Sequence, residues 1–161
     1  KNINESPKSD LKNLIVTDES LLNRGYGVTL FSIMSKTIEK LWQLKVRRDS
    51  ENLSEYLIEF FNELVAIFPN ELKLKIKENR NKNYINHQNM FIYYLTIAKE
   101  IQGRSNWREL LYDIVQNTNF DKENECWKGN VTYINSWNID SKIPDILNRY
   151  KKHIRSEINE K

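Results

Sequence analysis

Apolar side chains return every three or four residues along most of this chain, and little interrupts them. Val28, Phe31, Met34, Ile38, Leu41 and Trp42 form one such series, with Lys36, Glu39, Lys40 and Gln43 mostly between them. Leu53, Leu57, Phe60, Leu64 and Ile67 form a second, widened by Tyr56, Phe61 and Phe68. Met90, Phe91, Tyr94, Leu95, Ala98 and Ile101 form a third, and Trp107, Leu110, Leu111, Ile114 and Val115 a fourth. Ile143, Leu147, Tyr150, Ile154 and Ile158 close the chain with a fifth. This period places each set along one face of a helix. Four Gly and three Pro in 161 residues are too few for the frequent turns of a sandwich or barrel. The pattern predicts an all-α fold, a single globular domain of about six amphipathic helices over residues 11–158. The polar residues 1–10 read as a flexible N-terminal arm.

Boundary residues refine this outline. Leu11, Leu14 and Ile15 are spaced for a short helix, and Thr17-Asp18-Glu19 offers a cap for a turn holding Leu21 and Leu22. Two glycines in Arg24-Gly25-Tyr26-Gly27 break the chain. The first long helix is expected over residues 28–45, and the next starts with Ser50 or Asn52 as cap and ends before Pro69. Its wide stripe makes it the expected central helix. Leu72-Lys73-Leu74-Lys75-Ile76-Lys77 alternates like a strand, but no second strand is evident, so a short helix is expected there. Residues 79–86 read as an Asn-rich loop, the asparagines themselves as a compositional bias, and Gly103 as a helix end. Residues 129–138 read as a small hairpin or an irregular segment, and Asp140 or Ser141 caps the final helix. The expected core includes Phe31, Trp42, Phe60, Leu64, Trp107, Leu111, Trp127 and Leu147.

No catalytic constellation is visible. His87 and His153 lack neighbours at metal spacing, and Cys126 is the only cysteine, which excludes an intrachain disulfide. Asp121, Glu123 and Glu125 resemble part of a calcium loop without its glycine or terminal glutamate, so a solvated acidic turn is expected. Gly25-Tyr26-Gly27 is not a phosphate-cradling loop. A non-catalytic chain without metal or cofactor is therefore expected. No apolar run approaches the roughly 20 residues that cross a bilayer, and the N-terminus has no signal-peptide core, so a cytoplasmic protein is expected. The net charge of +3 is mild, but Lys73, Lys75, Lys77, Arg80 and Lys82 fall within ten residues, interleaved with amides. Such a segment suits phosphate contact. Arg149 and Lys152, beside Lys151 and Arg155, offer a second basic patch.

From Leu53 to Ile154 the order of features resembles the C-terminal half of DGQHR-domain proteins, which include the DndB-like proteins associated with DNA sulfur modification. The resemblance rests on the helix break at Phe68-Pro69-Asn70 and on the Trp-led helix Asn106-Trp107-Arg108-Glu109-Leu110-Leu111. It continues through Phe120-Asp121, Asn124, Trp127 and Gly129 to a last helix over residues 141–154. No Asp-Gly-Gln-His-Arg sequence occurs, so the resemblance transfers no catalytic residue. It implies the helical C-terminal part of a longer bacterial protein, linked to DNA modification (phosphorothioation), defence or its regulation, acting through DNA or partner-protein contact. The alternative is a helical protein-interaction module with no nucleic-acid role, anchored by aromatics such as Tyr133 and Trp137.

Overall fold

Helices dominate because most apolar residues keep helical spacing. In a computed structural model the described residues are 2–43, 47–88, 90–118 and 120–123. They contain α1 (Asn2–Glu5), α2 (Glu19–Asn23), α3 (Phe31–Trp42), α4 (Arg47–Ile67), α5 (Ile76–Arg80), α6 (Met90–Ile101) and α7 (Trp107–Gln116). A π-helical turn, Asn70–Leu74, follows α4, and β1 (Ile15–Val16) pairs in parallel with β2 (Thr29–Leu30). Trp127, Leu147, Arg149 and Lys152 lie outside the described residues. So do Cys126, His153, the 129–138 segment and the final helix.

The central helix is α6, where the sequence pointed to α4. Of its twelve residues, eight are buried, including Phe91, Tyr93, Tyr94 and Leu95. The reason is composition: its first nine residues carry no charge and are apolar or aromatic except for Thr96, so the helix must be surrounded. By contrast, α4 keeps a polar side with Glu51, Glu55 and Glu59 exposed, and buries Leu53, Leu57, Phe60, Phe61, Leu64 and Val65. Packing against α6 comes from α3 and α7, and α7 also packs on α4. Trp107 leads α7 into this core, 9% exposed, with its ring stacked 6.3 Å from Phe60 and edge-on to Tyr56 at 5.7 Å. On the outer side, Arg108 donates from Nε to Glu63 and from Nη2 to Glu59, which joins α7 to α4 at the surface.

Of the expected core residues, Phe60, Leu64 and Leu111 are fully buried, and Trp42 is partly buried at the rim, its Nε1 donating to Gln102 Oε1 at 2.7 Å. Phe31 corrects the expectation: it is 41% exposed. Residues 28–30 do not continue the helix. Val28 N donates to Leu14 O, and Thr29 and Leu30 pair with Ile15 and Val16, so Phe31 becomes the first residue of α3 instead of sitting inside it. The helix is correspondingly shorter than residues 28–45. The same pairing overturns the helix expected around Leu11–Ile15. Gly27 permits the close approach, since a Cβ there would stand 2.7 Å from Val16 Cγ1.

The polar N-terminal arm packs onto the domain. Ile3 and Leu11 are buried, and the Asn4 side chain accepts from Ile15 N and donates to Ile15 O. The Asn62 amide does the same for Asp10 N and Lys8 O. Local signals elsewhere act as read. Asp18 caps α2 by accepting from Ser20 N, and the chain leaves α2 through Gly25 at φ +82°. Its ending is a Schellman motif, with Tyr26 N donating to Leu21 O and Gly25 N to Leu22 O. The α4 helix begins at Arg47, ahead of Ser50 and Asn52, and ends before Pro69. The alternating stretch is helical, with Leu72 and Ile76 inside and Lys73, Leu74, Lys75 and Lys77 outside.

Candidate functional site

The basic segment does not present its five cations alike. Lys73 is exposed and paired with Asp10 Oδ1. Lys75, Lys77 and Lys82 are exposed. Lys77 lies across Gly25, where a Cβ would stand 2.7 Å from Lys77 Cβ, so α5 packs directly on the end of α2. Arg80 is turned inward. Its Nη1 donates to Leu22 O and its Nη2 to Gly27 O at 2.7 Å, which gives carbonyls at and beyond the end of α2 a cationic partner. Burial lowers its pKa, and with both Nη atoms engaged Arg80 is a joint between α5 and the α2–β2 turn.

A cation that the sequence did not single out completes the cluster. Residues 120–122 run beside 82–84: Tyr84 N donates to Phe120 O at 2.9 Å, and Asn83 bridges Asp121. Phe120 is buried and packs edge-on to Phe68 at 5.6 Å, which holds this segment down. Lys122 thereby reaches Arg80 O with its Nζ at 2.6 Å and lies 5.2 Å from the centroid of the Tyr84 ring. Its pKa is lowered, chiefly by burial and then by Arg80. The acidic stretch around it hid Lys122 in the sequence. Asp121, expected only as part of a solvated turn, accepts from Glu123 N at 2.9 Å.

Between α2, α5 and residues 87–88 lies a cleft of about 330 Å³, lined by Glu19, Asn23, Arg80, His87, Gln88 and Lys122 among others. The His87 ring stands edge-on to Tyr84 at 6.1 Å. Burial, with Lys122 and Arg80 behind it, pushes the His87 pKa down to about 4, so the ring is neutral at pH 7. Two of the lining residues hold a buried polar atom, Arg80 Nε and Gln88 Oε1, that makes no hydrogen bond among the described residues. His87 and Gln88 carried no signal beyond their residue type. A second cleft, of about 640 Å³, lies between Lys82, Asn83 and the end of α7, and is lined largely by amide and hydroxyl side chains.

Among the described residues, no group of three His, Cys, Asp or Glu is placed to hold a metal ion, and no helix is long and apolar enough to cross a membrane.

No family model matches the chain, and no solved structure matches it. It is similar to the SPbeta prophage-derived uncharacterized protein YopQ of Bacillus subtilis (strain 168), with 24% identity over 121 residues. The match covers 70% of this chain and 26% of that protein, so the chain spans about a quarter of the relative's length.

Proposed function

We propose that this chain is a non-catalytic helical domain that docks on DNA, in the setting of bacterial DNA modification, defence or its regulation. The observation that carries the reading is the gathering of Lys77, Arg80, Lys82 and Lys122 around α5. Arg80 and Lys122 are fixed in position, while Lys75, Lys77 and Lys82 remain exposed for phosphate contact. The setting comes from the resemblance to DGQHR and DndB-like proteins.

The test is DNA binding by the full chain across a salt series. With Lys75, Lys77 and Lys82 replaced by Gln, the slope of log K against log salt should flatten by about 0.9 for each duplex phosphate that is no longer neutralised. An unchanged slope removes the reading. Arg80 is left out of this variant because its loss would disturb folding.

A second reading, a protein-docking module, rests on Tyr26 and Leu74, which are 65% and 69% exposed. Tyr26→Ala and Leu74→Ala would then weaken capture of the partner, and the lysine replacements would not. Tyr133 and Trp137, the anchors suggested by the sequence, lie outside the described residues.

A further inference from the structure

The cleft beside α5 has properties that the exposed lysines lack, and they point to a smaller and more specific ligand. We propose that Arg80, Lys122, His87 and Gln88 form a binding site for a phosphate monoester, carried either by a small molecule or by the end of a nucleic-acid strand. The inference does not depend on DNA docking through Lys75, Lys77 and Lys82.

The first support is the state of Arg80. Each Nη atom gives one N–H to a carbonyl, Leu22 O and Gly27 O, which fixes the guanidinium plane. Its Nε–H is buried without a partner among the described residues, and Arg80 lines the cleft. Leaving a buried donor unpaired is costly, more so when it belongs to a charged group, so an anion seated against Arg80 and offering it an acceptor would be favoured. The second support is charge. Lys122 Nζ is held on Arg80 O, so two cations share one partly buried wall. Burial and then Arg80 lower the pKa of Lys122, and burial, Lys122 and Arg80 in that order lower that of His87, so the two cations and the imidazole stand close together here. Glu19 is the acid on the lining, and it is exposed. A phosphate monoester, with a charge of roughly −1.5 to −2 near pH 7, suits a wall that carries two cations. His87, neutral at pH 7, stands on the cleft lining and takes up a proton more readily once a dianion is present.

The third support sets the ligand class. Gln88 Oε1 is a buried acceptor with no hydrogen bond among the described residues, so the ligand should bring a donor as well as an anion. A phosphate ester of a hydroxylated sugar carries both. The volume of about 330 Å³ lies at the lower end of the range for small-ligand sites, enough for more than a bare ion.

The experiment follows the His87 imidazole resonances of the full chain by NMR, assigned with His87→Gln, at pH 7 and through an acid titration. The probes are inorganic phosphate, a nucleoside 5′-monophosphate, and single-stranded oligonucleotides with a 5′-phosphate or a 5′-hydroxyl end. The nucleotide should shift the His87 signals saturably and raise their midpoint by about one pH unit or more. Lys122→Gln should weaken this binding at least tenfold, and Lys75→Gln should leave it unchanged. A response to the nucleotide that exceeds the response to the phosphorylated oligonucleotide assigns the site to a free phosphate ester. The reverse order, with no response to the 5′-hydroxyl strand, assigns it to a strand end. No shift with any probe overturns the proposal, as does an equal loss in Lys75→Gln and Lys122→Gln. Because the triple lysine variant that tests DNA docking keeps the cleft intact, the two readings fail separately.

Discussion

The packed unit of α4, α6 and α7 and the irregular side built from the N-terminal arm, the α2–β2 turn and residues 68–88 are held by different forces. In the first, Phe60, Phe61, Phe91, Tyr93 and Tyr94 are fully buried, with neighbouring rings 5.4–6.3 Å apart. The helices satisfy their own backbones, and the few hydroxyls inside find partners, such as Tyr94 Oη on Ile85 O at 2.8 Å. In the second, short segments cannot pair all their own amides and carbonyls. Asn4, Asn62, Asn86 and Arg80 each bridge two backbone groups there. Buried backbone must be paired by something. Where periodic structure fails to supply the partner, an amide or guanidinium does. Stability in the packed unit should therefore follow apolar volume, and on the irregular side it should follow single directional bonds and charge.

The largest expected effect tests the packed unit. Phe60→Ala removes a fully buried ring that contacts Phe61, Tyr56 and Trp107. Chemical denaturation should show a loss of about 3–5 kcal/mol, the range for emptying an aromatic core position. A loss under about 1 kcal/mol would mean that α4 and α7 do not share an interior, and the contrast between the two regions would disappear.

Acid should act on the irregular side instead. The folded chain keeps His87 neutral down to about pH 4, because burial and the neighbouring Lys122 and Arg80 oppose its proton. The unfolded chain accepts that proton near the ordinary value of 6.5. Above that pH neither state binds it and the native state is fully favoured. Between about 6.5 and 4 the unfolded state binds more protons, so stability falls as the pH drops, by ~3 kcal/mol in all. Below about 4 this group adds no further loss. His87→Gln should flatten that part of the stability–pH curve while leaving the response to Phe60→Ala intact. An unchanged curve would mean that the imidazole is not held neutral by its surroundings.

The division between the two regions is also the division between what could be read in the sequence and what could not. Leu53, Leu57, Phe60 and Leu64 announce a buried stripe because helical period and burial are the same signal. Asp18 and Gly103 were legible because caps and helix ends act on neighbouring residues. Val28 was ambiguous: it fits the stripe of α3, but its amide goes to Leu14 O, and that choice depends on a strand thirteen residues away. The asparagines gave least. Asn62 meets Lys8 and Asp10 more than fifty positions away, and its targets are backbone atoms, which every residue carries. No spacing rule could distinguish such an asparagine from one placed by compositional bias. The cleft has the same origin. Arg80 could be seen as basic, but Lys122 joins it from forty-two positions along, through a segment anchored by Phe120. Side-chain chemistry was visible, and convergence was not.

The smallest of the three effects tests the amide bridges most directly. Asn86 is fully buried, and its Nδ2 donates to Glu71 O at 2.9 Å and to Ile76 O at 2.8 Å, tying the π-helical turn and α5 to the segment that leads into α6. Its Oδ1 makes no hydrogen bond among the described residues. Asn86→Ala should cost about 2 kcal/mol, because two carbonyls lose a donor in a place that water does not readily reach. Part of that loss is volume, which Asn86→Leu separates. Leucine restores the bulk and removes the unpaired oxygen but supplies no donor. If directional bonds hold this region, both variants lose comparable stability in urea titrations, and Asn86→Asp, which turns the donor into an acceptor facing two carbonyls, loses more than either. If Asn86→Leu instead matches the parent chain, the bridge is only filler, and the irregular side is governed by the same apolar packing as the helices it adjoins.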